Sequence, residues 1–204
     1  MAEIEAQDRV EAEPLVPYGD RSTAPDKVRR QIEAYEERMG FLPNAIKLYV
    51  HVPHIMQELI RLNNATMRHA DNLIPEDFKY RMSLVISRGH GCRYCCAHHA
   101  MTLKRKFGLD DARIEEILHL ESPEDEREAV AWEYAYAASR GQMSHDEGDD
   151  IRVHLAEHFS PPEVMELAAT VGFWACYNRI HSSLAIPIEE HLLGERHWVD
   201  VGRD

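Results

Sequence analysis

The sequence has almost none of the alternation that makes strands. No period-two run of β-branched or aromatic residues lasts more than a few positions, which leaves an all-α fold as the expectation. It also has no unbroken apolar run of the ~18 residues that a membrane span requires. The longest candidate, 164–177, is interrupted by Glu166, so no membrane partner is expected. Basic residues are few: Lys and Arg number 23 against 36 Asp and Glu, a formal net charge of −13. No Lys/Arg stripe offsets this, so a phosphate backbone would be repelled and no nucleic-acid partner is expected. The opening MAEIEAQDRVEAEP has neither the basic nor the apolar region of a secretory signal. The expected location is therefore cytoplasmic, where structural disulfides do not persist. Cysteine is scarce too, four in 204 residues, but three fall within positions 92–96. Such clustering points to redox or metal chemistry rather than a disulfide framework.

At 23.6 kDa the chain can bury one sizeable core. Residues 1–22, acidic and carrying Pro14 and Pro17, read as a mobile N-terminal arm, with Leu15, Val16 and Tyr18 available to dock on a neighbour. Residues 23–190 read as a single multihelical domain, and 191–204 as a polar tail with Leu192, Leu193 and Trp198 as docking points. Helix punctuation is clear. Ser22 or Thr23, Pro25 and Gly40 bracket one helix; Val28, Ile32, Tyr35 and Met39 recur in it at helical spacing. A short helix is expected over 44–50 and a longer one over 54–69, with Ile55, Met56, Leu59, Ile60 and Leu62 inward and Asn63, Asn64 and His69 facing solvent or capping. Asp110 caps a short helix, and Ser122 to Asp125 start one that Gly141 stops. Ser144 with Glu147, and Ser160 with Glu163, have capping-box spacing. The stretch from Pro161 to about Ser183 is the most apolar helix and is placed at the centre of the core.

Residues 76–108 concentrate the chemistry. An apolar helix from Phe78 to Ile86 is followed by Gly89-His90-Gly91, then by Cys92, Cys95, Cys96, His98 and His99. The glycine break places Cys92 at a helix N-terminus, where unpaired N–H groups and the macrodipole favour a thiolate, the reactive form of cysteine. On one helix Cys92, Cys95 and His99 share a face. His99 lies one turn beyond Cys95, the spacing at which side chains meet and an imidazole can take a thiol proton. Cys92 and Cys95, also a turn apart, could supply an attacking and a resolving sulfur. Cys96 and Cys176 read as small core residues, and His98 as structural or exposed, away from the cysteine face; His90 is left open.

GHGCRYCCAHHAMTLKRKFGL, together with RMSLVISR, SPEDEREAVAWEYAYA and FSPPEVMELAATVGFWACYNRIHSSLAIP, resembles the alkylhydroperoxidase AhpD-like, or carboxymuconolactone decarboxylase, family over about residues 40–190. The resemblance is most specific at Gly91, Cys92, Tyr94, Cys95, His99 and Gly108, and Asn178-Arg179 matches a recurring pair near the end of the last core helix. It implies an AhpD-like multihelical bundle assembled as a homo-trimer or hexamer. Carried over, Cys95 attacks a hydroperoxide, Cys92 closes a redox-active Cys92–Cys95 disulfide, and His99 relays the proton. No further cofactor is implied. A dithiol reductant protein of the dihydrolipoyl or thioredoxin type would restore the thiols. The family's relay glutamate falls on Tyr80 here; Glu76, one turn earlier on the same face, is the possible substitute. Tyr94 stands between the cysteines where the best-known peroxidase has histidine.

Thiol-dependent reduction of a small organic hydroperoxide is thus the leading expectation, in a pocket walled by Phe78, Met82, Tyr94, Trp174 and Tyr177. Two alternatives come from other classes. A non-redox carboxymuconolactone decarboxylase-type enzyme would need no cysteine pair. A zinc-stabilised structural oligomer could use soft sulfur and imidazole, but a structural zinc site usually needs a second, distant ligand pair. Cys176 is single and only His154/His158 offers one, so no metal is expected.

Overall fold

The computed structural model describes residues 14–144 and 148–193. Among these there are nine α-helices, two short 3₁₀ turns (Arg21–Thr23 and Glu190–Leu192) and no strand. The helices are α1 (Asp26–Met39), α2 (Asn44–Tyr49), α3 (Pro53–Arg68), α4 (Glu76–Gly89), α5 (Arg93–Phe107), α6 (Asp111–Leu118), α7 (Glu126–Ser139), α8 (Asp149–His158) and α9 (Pro161–Ser183). Their ends follow local chemistry. Asp110 and Asp125 accept N–H bonds from Arg113 and Glu128, each 2.8 Å, and Ser160 and Glu163 cap each other's backbone at the start of α9. Gly40 and Gly108 close α1 and α5 at φ 78° and 73°, where a Cβ would be strained. The Ser144/Glu147 pair falls partly outside the described residues.

Helix α4 is the hub. Met82, Leu84, Val85 and Ile86 have no exposed surface, so it is covered on every side, by α5, α7 and α9. Gly89 permits the closest approach: a Cβ there would stand 2.6 Å from Ser139 Cβ on α7. Lys79, fully buried on α4, bonds Thr66 O and Glu166 Oε2, each at 2.8 Å. Glu166, which breaks the apolar run of α9, also accepts the N–H groups of Leu73 and Ile74. One buried ion pair thus ties α3, the α3–α4 loop, α4 and α9 together. No helix among the described residues is long and apolar enough to cross a membrane.

Two apolar clusters form the interior. The first joins α4 to α9 and includes Cys96. The second gathers α1, α2 and the start of α3 around Cys92, Cys95 and Ile186. The boundaries differ from expectation at both ends. Residues 14–22 are not a loose arm where they are described: Val16 packs on the second cluster, Gly19 N–H bonds Lys47 O at 3.0 Å, and Pro17 O meets His51 Nε2 at 2.8 Å. At the other end Leu192 is buried and His191 packs edge-on against Phe41; Trp198 lies outside the described residues. On α3, Ile55 and Leu62 are turned outward, 44% and 49% exposed, because the helix buries a narrower stripe than its apolar residues could cover.

Candidate functional site

The turn between α4 and α5 builds the thiol pair. Gly91, at φ 66°, reverses the chain, and Cys92 N–H bonds back to Ser87 O at 3.0 Å. Cys92 is thereby the N-cap of α5, its sulfur accepting the N–H of Cys95 at 3.4 Å. The two sulfurs are 2.8 Å apart and both cysteines are free. The S–H of Cys95 and backbone N–H groups hydrogen-bond the Cys92 sulfur and, against burial, hold its thiol below the usual range. Burial pushes Cys95 well above the usual range, and the neighbouring Cys92 adds to that. Within the pair Cys92 is therefore the more acidic thiol and Cys95 the one that holds its proton more tightly.

The partner of Cys95 comes from α9. His181 Nδ1 lies 3.3 Å from Cys95 Sγ, and its Nε2 lies 3.3 Å from Tyr49 Oη on α2. Burial lowers the His181 pKa to about 3, so this imidazole is neutral and can accept. His99 does not take the Cys95 contact expected from its spacing. It sits between α4 and α9, bonded through Nδ1 to Ser87 Oγ at 3.1 Å and edge-on to Trp174 at 4.1 Å. It too is held neutral by burial, at about 3. A serine on the adjoining helix offered His99 a partner, and α9 offered Cys95 a nearer imidazole.

Around this pair lies a cavity of about 380 Å³. Of the residues expected to wall it, Tyr94, Trp174 and Tyr177 do so, with Tyr80, Cys95 and His99. Phe78 and Met82 do not: Phe78 packs on Phe159 beneath the Arg81 guanidinium, and Met82 is sealed in the core. Both occupy faces of α4 turned from α5. Tyr80 accepts a hydrogen bond from Arg68 at 2.5 Å, and burial raises its pKa to about 12, keeping it a phenol. Glu76 is outside the cavity wall and pairs with Arg68 at 2.9 Å and Lys106 at 2.5 Å.

His98, expected away from the chemistry, lines the cavity beside Cys95. Its Nε2 meets Glu189 Oε2 at 2.7 Å and its ring lies 4.4 Å from that of Tyr94. Glu189 also accepts from Asn44 N–H at 2.6 Å and Tyr94 Oη–H at 3.0 Å. Burial would raise its pKa, but the hydrogen bonds from His98 and the backbone prevail and lower it. Residues Tyr49, His181 and Glu189 were not singled out from sequence. One signal for His181 was legible: with Trp174 and Tyr177 it continues a 3–4 spacing along α9, an imidazole on an aromatic stripe. Nothing local marks Glu189. Among the described residues no group of three or more His, Cys, Asp or Glu side chains is arranged to hold a metal ion.

The fold is that of the alkylhydroperoxidase AhpD core. An uncharacterized peroxidase-related protein from Ralstonia eutropha JMP134, with such a core, matches at TM-score 0.78 and 18% identity over 89% of this chain and 95% of its own. A second uncharacterized peroxidase-related protein, from Silicibacter sp. TM1040, matches at TM-score 0.74 and 21% identity over 95% and 98%. The debrominase Bmp8 matches at TM-score 0.75 and 22% identity over 90% and 96%; a cysteine-to-alanine variant of that enzyme is known in complex with 2,3,4-tribromopyrrole. No family model matches the sequence, and no curated protein matches it.

Proposed function

We propose that the protein is a thiol-dependent reductase of organic hydroperoxides, with Cys95 as the attacking sulfur and Cys92 as the resolving one. The observation that carries this reading is the 2.8 Å pair with only its second member, Cys95, on the cavity wall, 3.3 Å from a neutral imidazole. Cys95 passes its proton to His181, whose other nitrogen is steadied by Tyr49. The Cys95 thiolate attacks the terminal oxygen of ROOH; the S–O bond forms, the O–O bond breaks, and the alkoxide takes the proton from His181 to leave as ROH. The Cys92 thiolate, one turn away at the N-cap, then attacks the sulfur of the sulfenic acid. Hydroxide leaves as water with the proton that Cys92 gave up, and a Cys92–Cys95 disulfide remains. A dithiol protein returns two electrons and two protons. The reading includes a homo-oligomer, trimer or hexamer, working in a reducing cytoplasm. Tyr80 and Glu76 carry no step: the phenol is held protonated, and the carboxylate is spent on Arg68 and Lys106.

The test is intact mass and free-thiol content of reduced protein before and after one equivalent of cumene hydroperoxide. Loss of two hydrogens and two thiols, mapped to Cys92 and Cys95, is expected. Peroxide consumption should vanish in Cys95→Ser; undiminished consumption there sinks the reading.

A second reading uses the same sulfurs on a carbon-bound halogen, favoured by the likeness to a debrominase and by the aromatic wall of Tyr49, Trp174 and Tyr177. Thiolate would take the halogen, the carbanion would be protonated, and the second thiolate would release halide as the disulfide closes. Halide release from a brominated pyrrole, without consumption of hydroperoxide, would favour it. A non-redox decarboxylase-type reaction would leave the thiol pair without a task.

A further inference from the structure

The chain is strongly acidic, yet the cavity wall carries no carboxylate. It carries four cations, Arg38, Arg68, Arg105 and Lys106. A formal net charge of −13 makes such a lining unusual for this chain. Arg68 and Lys106 share one carboxylate, Glu76, behind the wall. Arg38 lies over the Tyr35 ring at 4.5 Å. Among the described residues no carboxylate stands within ion-pair distance of Arg38 or Arg105. The other nearby carboxylate, Glu189, is buried behind His98 and Tyr94 and is already engaged by His98, Tyr94 and the Asn44 N–H. Four cations on the wall against two carboxylates behind it, Glu76 and Glu189, leave the cavity with an excess of positive charge.

The charges are also sorted by depth. Arg38, Arg105 and Lys106 are exposed and form the mouth. Cys95, 3% exposed, and His181, 5% exposed, form the floor, where the imidazole is uncharged. Between them stand Tyr49, Ile60, Trp174 and Tyr177. A guanidinium matches a carboxylate in shape and charge, and the aromatic lining matches an apolar body. A cavity of about 380 Å³ suits a single small organic molecule.

We propose that this cavity takes an amphipathic organic acid, its carboxylate at Arg38 and Arg105 and its apolar end at Cys95. Resting on the peroxidase reading above, the substrate is then a carboxylate-bearing organic hydroperoxide. The hydroperoxide is reduced to the alcohol by the same two thiols; the carboxylate takes no part and only orients the O–O bond toward the sulfur.

The experiment compares 4-carboxycumene hydroperoxide with cumene hydroperoxide, identical at the reacting end. The acid should show about tenfold higher kcat/KM, through a lower KM, and the advantage should shrink with added salt. In Arg38→Gln/Arg105→Gln the ratio of acid to neutral should fall toward one. Equal kcat/KM in the unaltered protein, or a ratio that the double variant leaves intact, overturns the proposal while leaving the peroxidase reading standing. Binding is read separately by calorimetry on Cys95→Ser with the unreactive 4-isopropylbenzoate and its methyl ester. Arginine-dependent binding of the benzoate but not the ester supports the anion site even if neither hydroperoxide is consumed; no preference for the benzoate overturns it.

Discussion

The bundle around α4 and the layer made by residues 14–25 with α1 and α2 are held by different forces. The bundle is built on a sealed hub: Met82, Leu84, Val85 and Ile86 of α4 have no exposed surface, and the ion pair of the fully buried Lys79 with Glu166 is fixed by further backbone bonds. The layer has an apolar cluster of its own, Val28 and Ile32 on α1 with Ala45, Ile46, Leu48 and Tyr49 on α2, and is clasped as well by polar bonds to distant residues. Asn44 N–H reaches Glu189, Asn44 Nδ2 reaches Pro187 O, and Ala45 N–H reaches Tyr94 Oη. The candidate site lies between the two. The bundle supplies Cys95, His99 and His181; the layer supplies Tyr49 and the outer wall with Arg38. The bundle thus carries the sulfurs, while the cover packed against them sets what reaches them.

That contrast can be broken most severely at Lys79. Lys79→Ala leaves Glu166 without its cation and opens a void, and should destabilise the protein by about 3–5 kcal/mol in urea unfolding. Lys79→Met keeps the buried stem and should cost clearly less; equal costs would show that charge, not volume, is what matters there. Within the site, His181→Gln should slow hydroperoxide reduction by ~10²-fold or more, whereas His99→Gln should have a smaller effect on the rate. The reverse order would return the proton relay to His99.

For the cover, Glu189→Gln weakens the clasp on α2 by ~1.5–3 kcal/mol. Hydrogen exchange should quicken in α1 and α2 and stay slow in α4; uniform quickening would mean that the two regions open as one. A further effect is on acid stability. His99 and His181 titrate near 6.5 in the unfolded chain but only near 3 when buried. Between those values the unfolded chain binds more protons. Stability is therefore full above pH 6.5 and declines as pH falls, by up to ~1.4 kcal/mol per pH unit for each histidine. His99→Gln should remove one share of that slope; an unchanged slope would mean that His99 is not held neutral in the fold.

Most of the helix plan could be read along the chain, because caps, glycines and 3.6-residue periodicity are local. Asp110, Asp125 and the Ser160/Glu163 box each mark the helix start they were expected to mark. The cysteine turn was legible for the same reason: Gly91 and the N-cap position of Cys92 are fixed by neighbours within a few residues. Periodicity also placed Cys95 and His99 a turn apart, but spacing says which side chains share a helix, not which groups other helices bring. Phe78 and Met82 failed as cavity residues on that account: both are apolar, and only packing against α5, α7 and α9 decides which apolar face of α4 borders space.

The sequence by itself determined an all-α chain, its helix boundaries and a thiol pair at a helix N-terminus, since these depend on backbone propensity and contacts a few residues apart. Only the tertiary structure decided that His181, 86 residues from Cys95, is its partner, that Glu189 clasps α2, and that arginines from separate helices line one cavity. Those juxtapositions are set by how helices cross and by which buried polar groups must find partners once water is gone, and neither is written in any single stretch of sequence.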